Sequence, residues 1–200
     1  MSDDRHAAKM VRRKTVQDAE VASKTILEKG LLMVHTGPGK GKTTAALGLI
    51  VRMLGQGFRV GMVQFIKGAW DTGERRMLER LGGELIAWHT MGEGFTWETQ
   101  DRTRDVAAAE AAWARAMALM AEPDLRLLVL DELNIALRYD YLPLESVLAV
   151  LATRRQSLHV VVTGRNAKPA LIEMADLVTE MVALKHHFAA GVRAQAGIEF

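Results

Sequence analysis

The sequence predicts an α/β domain: a mostly parallel sheet of about six strands flanked by helices, preceded by a helical extension over residues 1–30. Three observations lead there. Short segments that are apolar throughout alternate with helix-length segments, the pattern of strands buried on both faces. Two hundred residues fit one domain over 31–200 and its extension. With 49% hydrophobic and 25% charged residues, the chain has an ordinary globular balance, which excludes a disordered chain, a collagen or a coiled-coil rod.

The elements follow in order. Residues 3 to about 29 are charged, alanine-rich and proline-free, so they favour a helix; Val11, Val16, Val21, Ala22, Ile26 and Leu27 give it only a thin apolar cover. Lys29-Gly30 is its expected stop. Leu31–His35 reads as a buried strand, Thr43–Leu54 as a helix closed by Gly55 and Gly57, and Arg59–Phe65 as a second strand. Gly73–Leu81 is a short helix and Glu84–Trp88 a third strand. A glycine-containing loop, His89–Gln100, leads to a long helix, Asp101–Ala121, stopped at Glu122-Pro123. Leu127–Leu130 is a fourth strand, Pro143–Arg154 a helix with proline in its first turn, and His159–Thr163 a fifth strand. Lys168–Met174 is a short helix and Leu177–Val182 a sixth strand. There is no internal repeat.

Twenty-six basic and 24 acidic residues leave a net charge of +2, too small to argue for nucleic acid or an anionic membrane. The absence of cysteine excludes disulfides, thiolate metal sites and a cysteine nucleophile. The N-terminus has no apolar stretch of the kind that opens a secretory signal, and no apolar run is long enough to span a bilayer. A cytoplasmic protein is expected.

Two motifs carry chemistry. The first strand runs into Thr36-Gly37-Pro38-Gly39-Lys40-Gly41-Lys42-Thr43-Thr44 at the start of a helix. Glycines let backbone N–H groups converge on a phosphate, the helix N-terminus adds positive potential, Lys42 reaches phosphate oxygens, and Thr43 offers its hydroxyl to Mg²⁺. The motif departs from the common phosphate loop in two ways: Thr36 stands where a glycine is usual, and Pro38 removes one amide donor. The second motif is Asp131-Glu132, two carboxylates at the end of an apolar strand. In a parallel sheet that end faces the ligand crevice. Asp131 there organises a Mg²⁺ shell directly or through water, and Glu132 is placed to activate water in a hydrolase. Together the motifs indicate a Mg²⁺–nucleotide site without fixing the reaction.

The remainder of the chain is more specific. Val63-Gln64-Phe65-Ile66-Lys67-Gly68, Gly73-Glu74-Arg75, Gly94-Phe95-Thr96-Trp97-Glu98-Thr99-Gln100, Tyr139-Asp140-Tyr141-Leu142-Pro143-Leu144, Val162-Thr163-Gly164-Arg165, Lys185-His186 and Gly191 to Ile198 occur in this order with the phosphate loop. The set closely resembles the ATP:corrinoid adenosyltransferases of cobalamin biosynthesis and salvage, in the family that carries a phosphate loop. The resemblance spans about Leu31 to Phe200 and loosely covers the N-terminal helix. It implies a RecA-like sheet, a homodimer, and transfer of the 5′-deoxyadenosyl group of MgATP to the cobalt of a reduced corrinoid with release of triphosphate. It implies a loop that grips the far end of the triphosphate, a use the family shares along with Thr36; Pro38 replaces the expected Asn. It assigns Gly37, Pro38, Gly39, Lys40, Gly41, Lys42, Thr43 and Thr44 to the triphosphate, with Lys42 and Thr43 acting in catalysis. Thr43, Glu132 and Asp131 go to Mg²⁺, Arg165 to nucleotide or corrinoid, and Phe95 and Trp97 to the space under the corrinoid, where they displace its lower axial ligand. A reduced flavodoxin or other flavoprotein is implied as electron donor.

Other side chains read as structural. His89, His186 and His187 have no metal spacing. The methionines fill core or cover the first helix, and Trp70, Trp88 and Trp113 are packing residues. Arg12-Arg13-Lys14 reads as a solvated run, the alternative being contact with the corrinoid's carboxamides or an acidic partner. Two other functions fit the motifs: a RecA-like ATPase acting on a macromolecular partner, marked by phosphate release with ATP alone, and a nucleotide-binding regulatory module without turnover.

Overall fold

A computed structural model describes residues 3–26, 28–66, 72–91 and 101–198. Helix α1 (Asp3–Ala22) is followed by β1 (Leu32–Thr36), α2 (Lys42–Gly55), β2 (Arg59–Gln64), α3 (Gly73–Gly82), β3 (Ile86–Thr90), α4 (Arg102–Ala121), β4 (Leu125–Asp131), α5 (Leu133–Arg138), α6 (Leu144–Ala152), β5 (His159–Thr163), α7 (Pro169–Met174) and β6 (Leu177–Glu180). The six strands form one sheet in the order β3-β2-β4-β5-β1-β6. Every pairing is parallel, so all strand ends that carry the two motifs lie on one rim. Strand β5 lies between the phosphate-loop strand β1 and the acidic strand β4.

Each sheet face has its own helix layer. On one, Met33, Val60, Met62, Trp88, Leu127, Val129 and Val161 pack with Ala46 and Ile50 of α2 and Leu78 of α3. On the other, Val34, Val63, Leu128, Leu130, Val160 and Val162 meet α4, α5, α6 and Leu171 of α7. Strand periodicity explains the division, since alternate side chains point to opposite faces. Trp88, Met62, Val129, Val161 and Met33 are neighbours in register on the α2 face. Two residues further along each strand the same face turns polar. Thr90, Gln64 and Asp131 stand side by side, and Thr163 pairs with His35 and His35 with Thr179. The apolar layer therefore ends in a polar row at the carboxyl rim.

Several expectations shift. The first helix ends at Ala22, well short of Gly30. A 3-10 turn at Gly83–Leu85 delays β3 to Ile86, and β4 starts earlier, at Leu125. Helix α5 went unread because it holds only six residues, too few to show a period. Strand β6 stops at Glu180 and is exposed along its whole length, so the rule of strands buried on both faces fails at this edge. Trp70 lies outside the described residues. Trp88 and Trp113 are buried, as packing residues should be. Among the described residues no helix is long and apolar enough to cross a membrane.

Candidate functional site

The loop between β1 and α2 is shaped by glycines and by the end of β6. Gly37 and Gly41 have positive φ of 94° and 108°, conformations that L side chains rarely adopt. Gly39 is required for a different reason: a Cβ there would lie 2.7 Å from the carbonyl oxygen of Met181. Met181 donates its N–H to the Thr36 carbonyl (2.9 Å) and accepts from the Gly39 N–H (2.6 Å). The Thr36 hydroxyl accepts from the Ala167 N–H at 3.2 Å. A glycine at position 36 would lose this tie, so Thr36 anchors the loop to the segment before α7.

Helix α2 opens without a capping side chain, and no acidic residue lies in its first turn. Its leading N–H groups and dipole are therefore open to an anion. Lys42 is buried, and its ammonium donates to the carbonyls of Gly37 (2.9 Å) and Gly39. Burial pushes its pKa below the ordinary lysine value; Glu132 opposes this, Arg165 and Lys40 add to it, and Asp131 opposes it. Both carboxylates and the exposed Arg165 thus lie within electrostatic reach of the ammonium. Pro38, Lys40 and Thr44 are exposed at the mouth of the loop.

Asp131 is fully buried. Its Oδ1 accepts from the hydroxyls of Thr43 (2.8 Å) and Thr163 (2.7 Å), and its Oδ2 accepts from the Gln64 amide at 3.1 Å. Asp131 thus stands behind Thr43. Because the single hydroxyl hydrogen of Thr43 goes to Asp131, its oxygen lone pairs are free for a cation. Glu132 follows in the left-handed region (φ 63°), unusual for a residue with a Cβ. Its N–H donates to the Thr163 hydroxyl (3.0 Å). A Cβ on Gly164 would fall 3.0 Å from the Glu132 carboxylate, so Gly164 leaves room for that side chain.

The structure therefore brings together the loop, Lys42, Thr43, Asp131, Glu132 and Arg165. Phe95 and Trp97 lie outside the described residues. Of the histidines, His35 touches this cluster, its buried Nδ1 lying 3.3 Å from the Lys42 carbonyl oxygen; the three considered above have other partners. His89 contacts Arg115 at 2.8 Å; burial, Arg115 and Arg75 lower its pKa. His186 and His187 stack on each other with centroids 4.8 Å apart. Gln64, Thr163 and Gly164 stand in the motifs that carry the resemblance but had no role assigned there; their places around Asp131 and Glu132 needed the strand register.

The chain is similar to known proteins along its whole length. Residues 28–200 match the family model described as ATP:corrinoid adenosyltransferase BtuR/CobO/CobP. Residues 1–21 match a separate model, the N-terminal segment of cob(I)alamin adenosyltransferase. The chain is 55% identical to a corrinoid adenosyltransferase of Pseudomonas aeruginosa over 99% of its own length and 97% of the relative's. It is 52% identical to one from Sinorhizobium, covering 99% and 92% of the two chains, and 46% identical to that of Salmonella typhimurium over the full length of both.

Proposed function

The chain belongs to the family of ATP:corrinoid adenosyltransferases, and from that premise we propose how its carboxyl rim works. The enzyme transfers an adenosyl group from ATP to a corrinoid. The alternative of an ATPase driving a macromolecule is not favoured by membership in a group-transfer family. In the proposed step the reduced cobalt of the substrate attacks C5′ of ATP. The cobalt–carbon bond forms with the metal's electron pair, the C5′–O5′ bond breaks, and its pair leaves on triphosphate. Cobalt(I) is nucleophilic enough to need no base, so the protein's work is orientation and charge stabilisation.

The observation that carries this reading is the juxtaposition of Lys42 and the uncapped start of α2 with Thr43, which Asp131 holds by its hydroxyl hydrogen. Lys42, the loop amides and Thr44 stabilise charge growing on the leaving triphosphate. The donors near Thr43 are hard oxygens, a hydroxyl and the Glu132 carboxylate. They suit Mg²⁺, which takes only one or two protein ligands beside phosphates; among the described residues no cluster of three acidic or histidine ligands occurs. Thr43 and Glu132 would hold Mg²⁺, with Asp131 behind them, and the ion would neutralise triphosphate charge. Arg165, exposed beside Lys42, contacts nucleotide or corrinoid. A reduced flavodoxin or other flavoprotein as electron donor, a homodimer and a cytoplasmic setting complete the reading, all by family resemblance.

Lys42→Ala tests the site. The variant should fold, because the ammonium serves the loop and not the core, and should lose about a hundredfold or more in kcat; near-normal turnover at saturating ATP would remove the assignment. Phe95 and Trp97 are proposed to fill the lower axial space of the corrinoid with rings that cannot coordinate cobalt. Trp97→Ala should slow adenosylation that starts from cob(II)alamin with a weak reductant, and largely spare prereduced cob(I)alamin. Equal loss in both assays would reduce the rings to a positioning role.

A further inference from the structure

Gln64 ends β2 with its side chain buried, and its three hydrogen bonds all go to other side chains. Its Oε1 accepts from the Trp88 indole N–H (3.1 Å) and the Thr90 hydroxyl (2.9 Å). Its Nε2 donates to Asp131 Oδ2 at 3.1 Å. An indole nitrogen can only donate. The amide oxygen must therefore face β3 and the amide nitrogen must face Asp131; the reverse would set donor against donor and oxygen against carboxylate. Arg75 donates in turn to the Thr90 hydroxyl oxygen at 3.4 Å. Donation thus runs in one direction, from Arg75 through Thr90 and Gln64 to Asp131, which Thr43 approaches from the other side.

We propose that Gln64 is a positioning residue for the metal–triphosphate site, acting through Asp131. The Gln64 amide fixes the plane of the Asp131 carboxylate. That plane decides whether the Thr43 hydroxyl points its hydrogen backward, leaving lone pairs for Mg²⁺, or swings it toward the cation. The inference rests on the Mg²⁺ reading above. Groups one step removed from a metal orient the groups that touch it, and their loss typically costs 10- to 100-fold. The row is built into the sheet: Gln64 is in register with Thr90 on one side and Asp131 on the other. Thr90 closes β3 just before the segment that carries Phe95 and Trp97, so the same row ties that strand to the phosphate loop.

The test compares Gln64→Glu, Gln64→Leu and the double variant Gln64→Glu/Asp131→Asn with the unaltered enzyme. One readout is the Mg²⁺ concentration for half-maximal transfer to prereduced cob(I)alamin at saturating ATP. The second needs no turnover: the rise in unfolding midpoint given by ATP with Mg²⁺ over ATP with EDTA, corrinoid absent. Gln64→Glu puts a carboxylate against Asp131 and should raise the Mg²⁺ requirement about tenfold or more, abolish the Mg²⁺-specific midpoint rise, lower kcat and leave KM for the corrinoid unchanged. Gln64→Leu should do the same more mildly. In the double variant the new amide at position 131 can donate to the new carboxylate at 64 and still accept from Thr43 and Thr163, so much of the Mg²⁺-specific rise should return. Should a Gln64 variant fail to fold, Thr90→Val, which removes one of the two donors to Oε1, should shift both readouts the same way by less. A Gln64→Leu or Thr90→Val enzyme with the normal Mg²⁺ requirement, or a double variant no better than Gln64→Glu, overturns the proposal. An unaltered enzyme indifferent to Mg²⁺ in both readouts overturns the metal reading itself, and this inference with it.

Discussion

Helices α1 and α4 are each 20 residues long, and they hold their shape for opposite reasons. Helix α4 is fixed at both ends and along one side. Asp101 caps it by accepting from the N–H groups of Thr103 and Arg104, Glu122-Pro123 ends it, and Ala109, Ala112, Trp113, Ala116, Leu119 and Met120 are buried. The three alanines let the helix lie close on the sheet, while Trp113 and Leu119 fill the space beside them. Helix α1 buries none of its described side chains; Val11, Val16 and Val21 are more than half exposed. Its side-chain support is local, such as the Lys14–Asp18 pair at 2.6 Å, and an exposed pair of that spacing contributes only about 0.3–0.5 kcal/mol. A helix so weakly held is stabilised chiefly by whatever it packs on. The two helices accordingly separate a segment that belongs to the domain core from one that buries no described side chain in it.

Trp113→Ala should break the comparison on the α4 side. Emptying that position costs about 3–5 kcal/mol, read as a lower midpoint in denaturant with α1 unaltered. A smaller effect belongs to the junction between the two regions. Asp176 accepts from the Leu32 N–H at 2.9 Å, is paired with Lys29, and lies 3.6 Å from Arg154. Desolvation would raise its pKa, but the hydrogen bonds from Lys29 and Leu32 and the charges of Lys29 and Arg154 outweigh it, so the carboxyl is held below its ordinary value. Its contribution is therefore complete above the unfolded pKa of about 3.9 and is lost as pH falls through the lower folded value. Asp176→Asn should cost about 1 kcal/mol at pH 7, a modest figure because Lys29 is partly in water. The gap between variant and parent in urea melts should close at acid pH; a gap unchanged there would remove the ion pair from the account. The smallest effect on stability is expected from deleting residues 1–22. The melting midpoint should barely move and ATP should bind as before, while corrinoid transfer weakens, if α1 covers the corrinoid as the family resemblance implies. Unfolding of the shortened chain would erase the contrast between the two helices.

The same contrast marks what the sequence makes legible. Buried strands announce themselves as apolar runs, and β1, β2, β4 and β5 were all readable within a few residues. The phosphate loop was readable because glycines, a lysine and a helix start occur in fixed order. Helix α5 was not, because six residues carry no period. The site's back wall was invisible for a different reason. Gln64, Asp131 and Thr163 lie far apart in sequence and meet only through strand order, which no local pattern encodes. Asp131 was readable as part of a Mg²⁺ shell, directly or through water; its complete burial and its hydrogen bond from Thr43 were not. The exposure of β6 was equally hidden, because an edge strand and a central one can share the same residues.

Met181 gives the loop a place in the history of the chain. Its backbone pairs with Thr36 and Gly39, yet nearly the whole domain is synthesised between them. Helix α2 and strands β1 to β5 can assemble as they emerge from the ribosome, because their contacts involve residues already made. The phosphate loop acquires its final shape only once the last strand has been delivered and β6 has docked beside β1. A chain ending before β6 would therefore possess a sheet whose phosphate loop lacks both of its backbone ties to Met181.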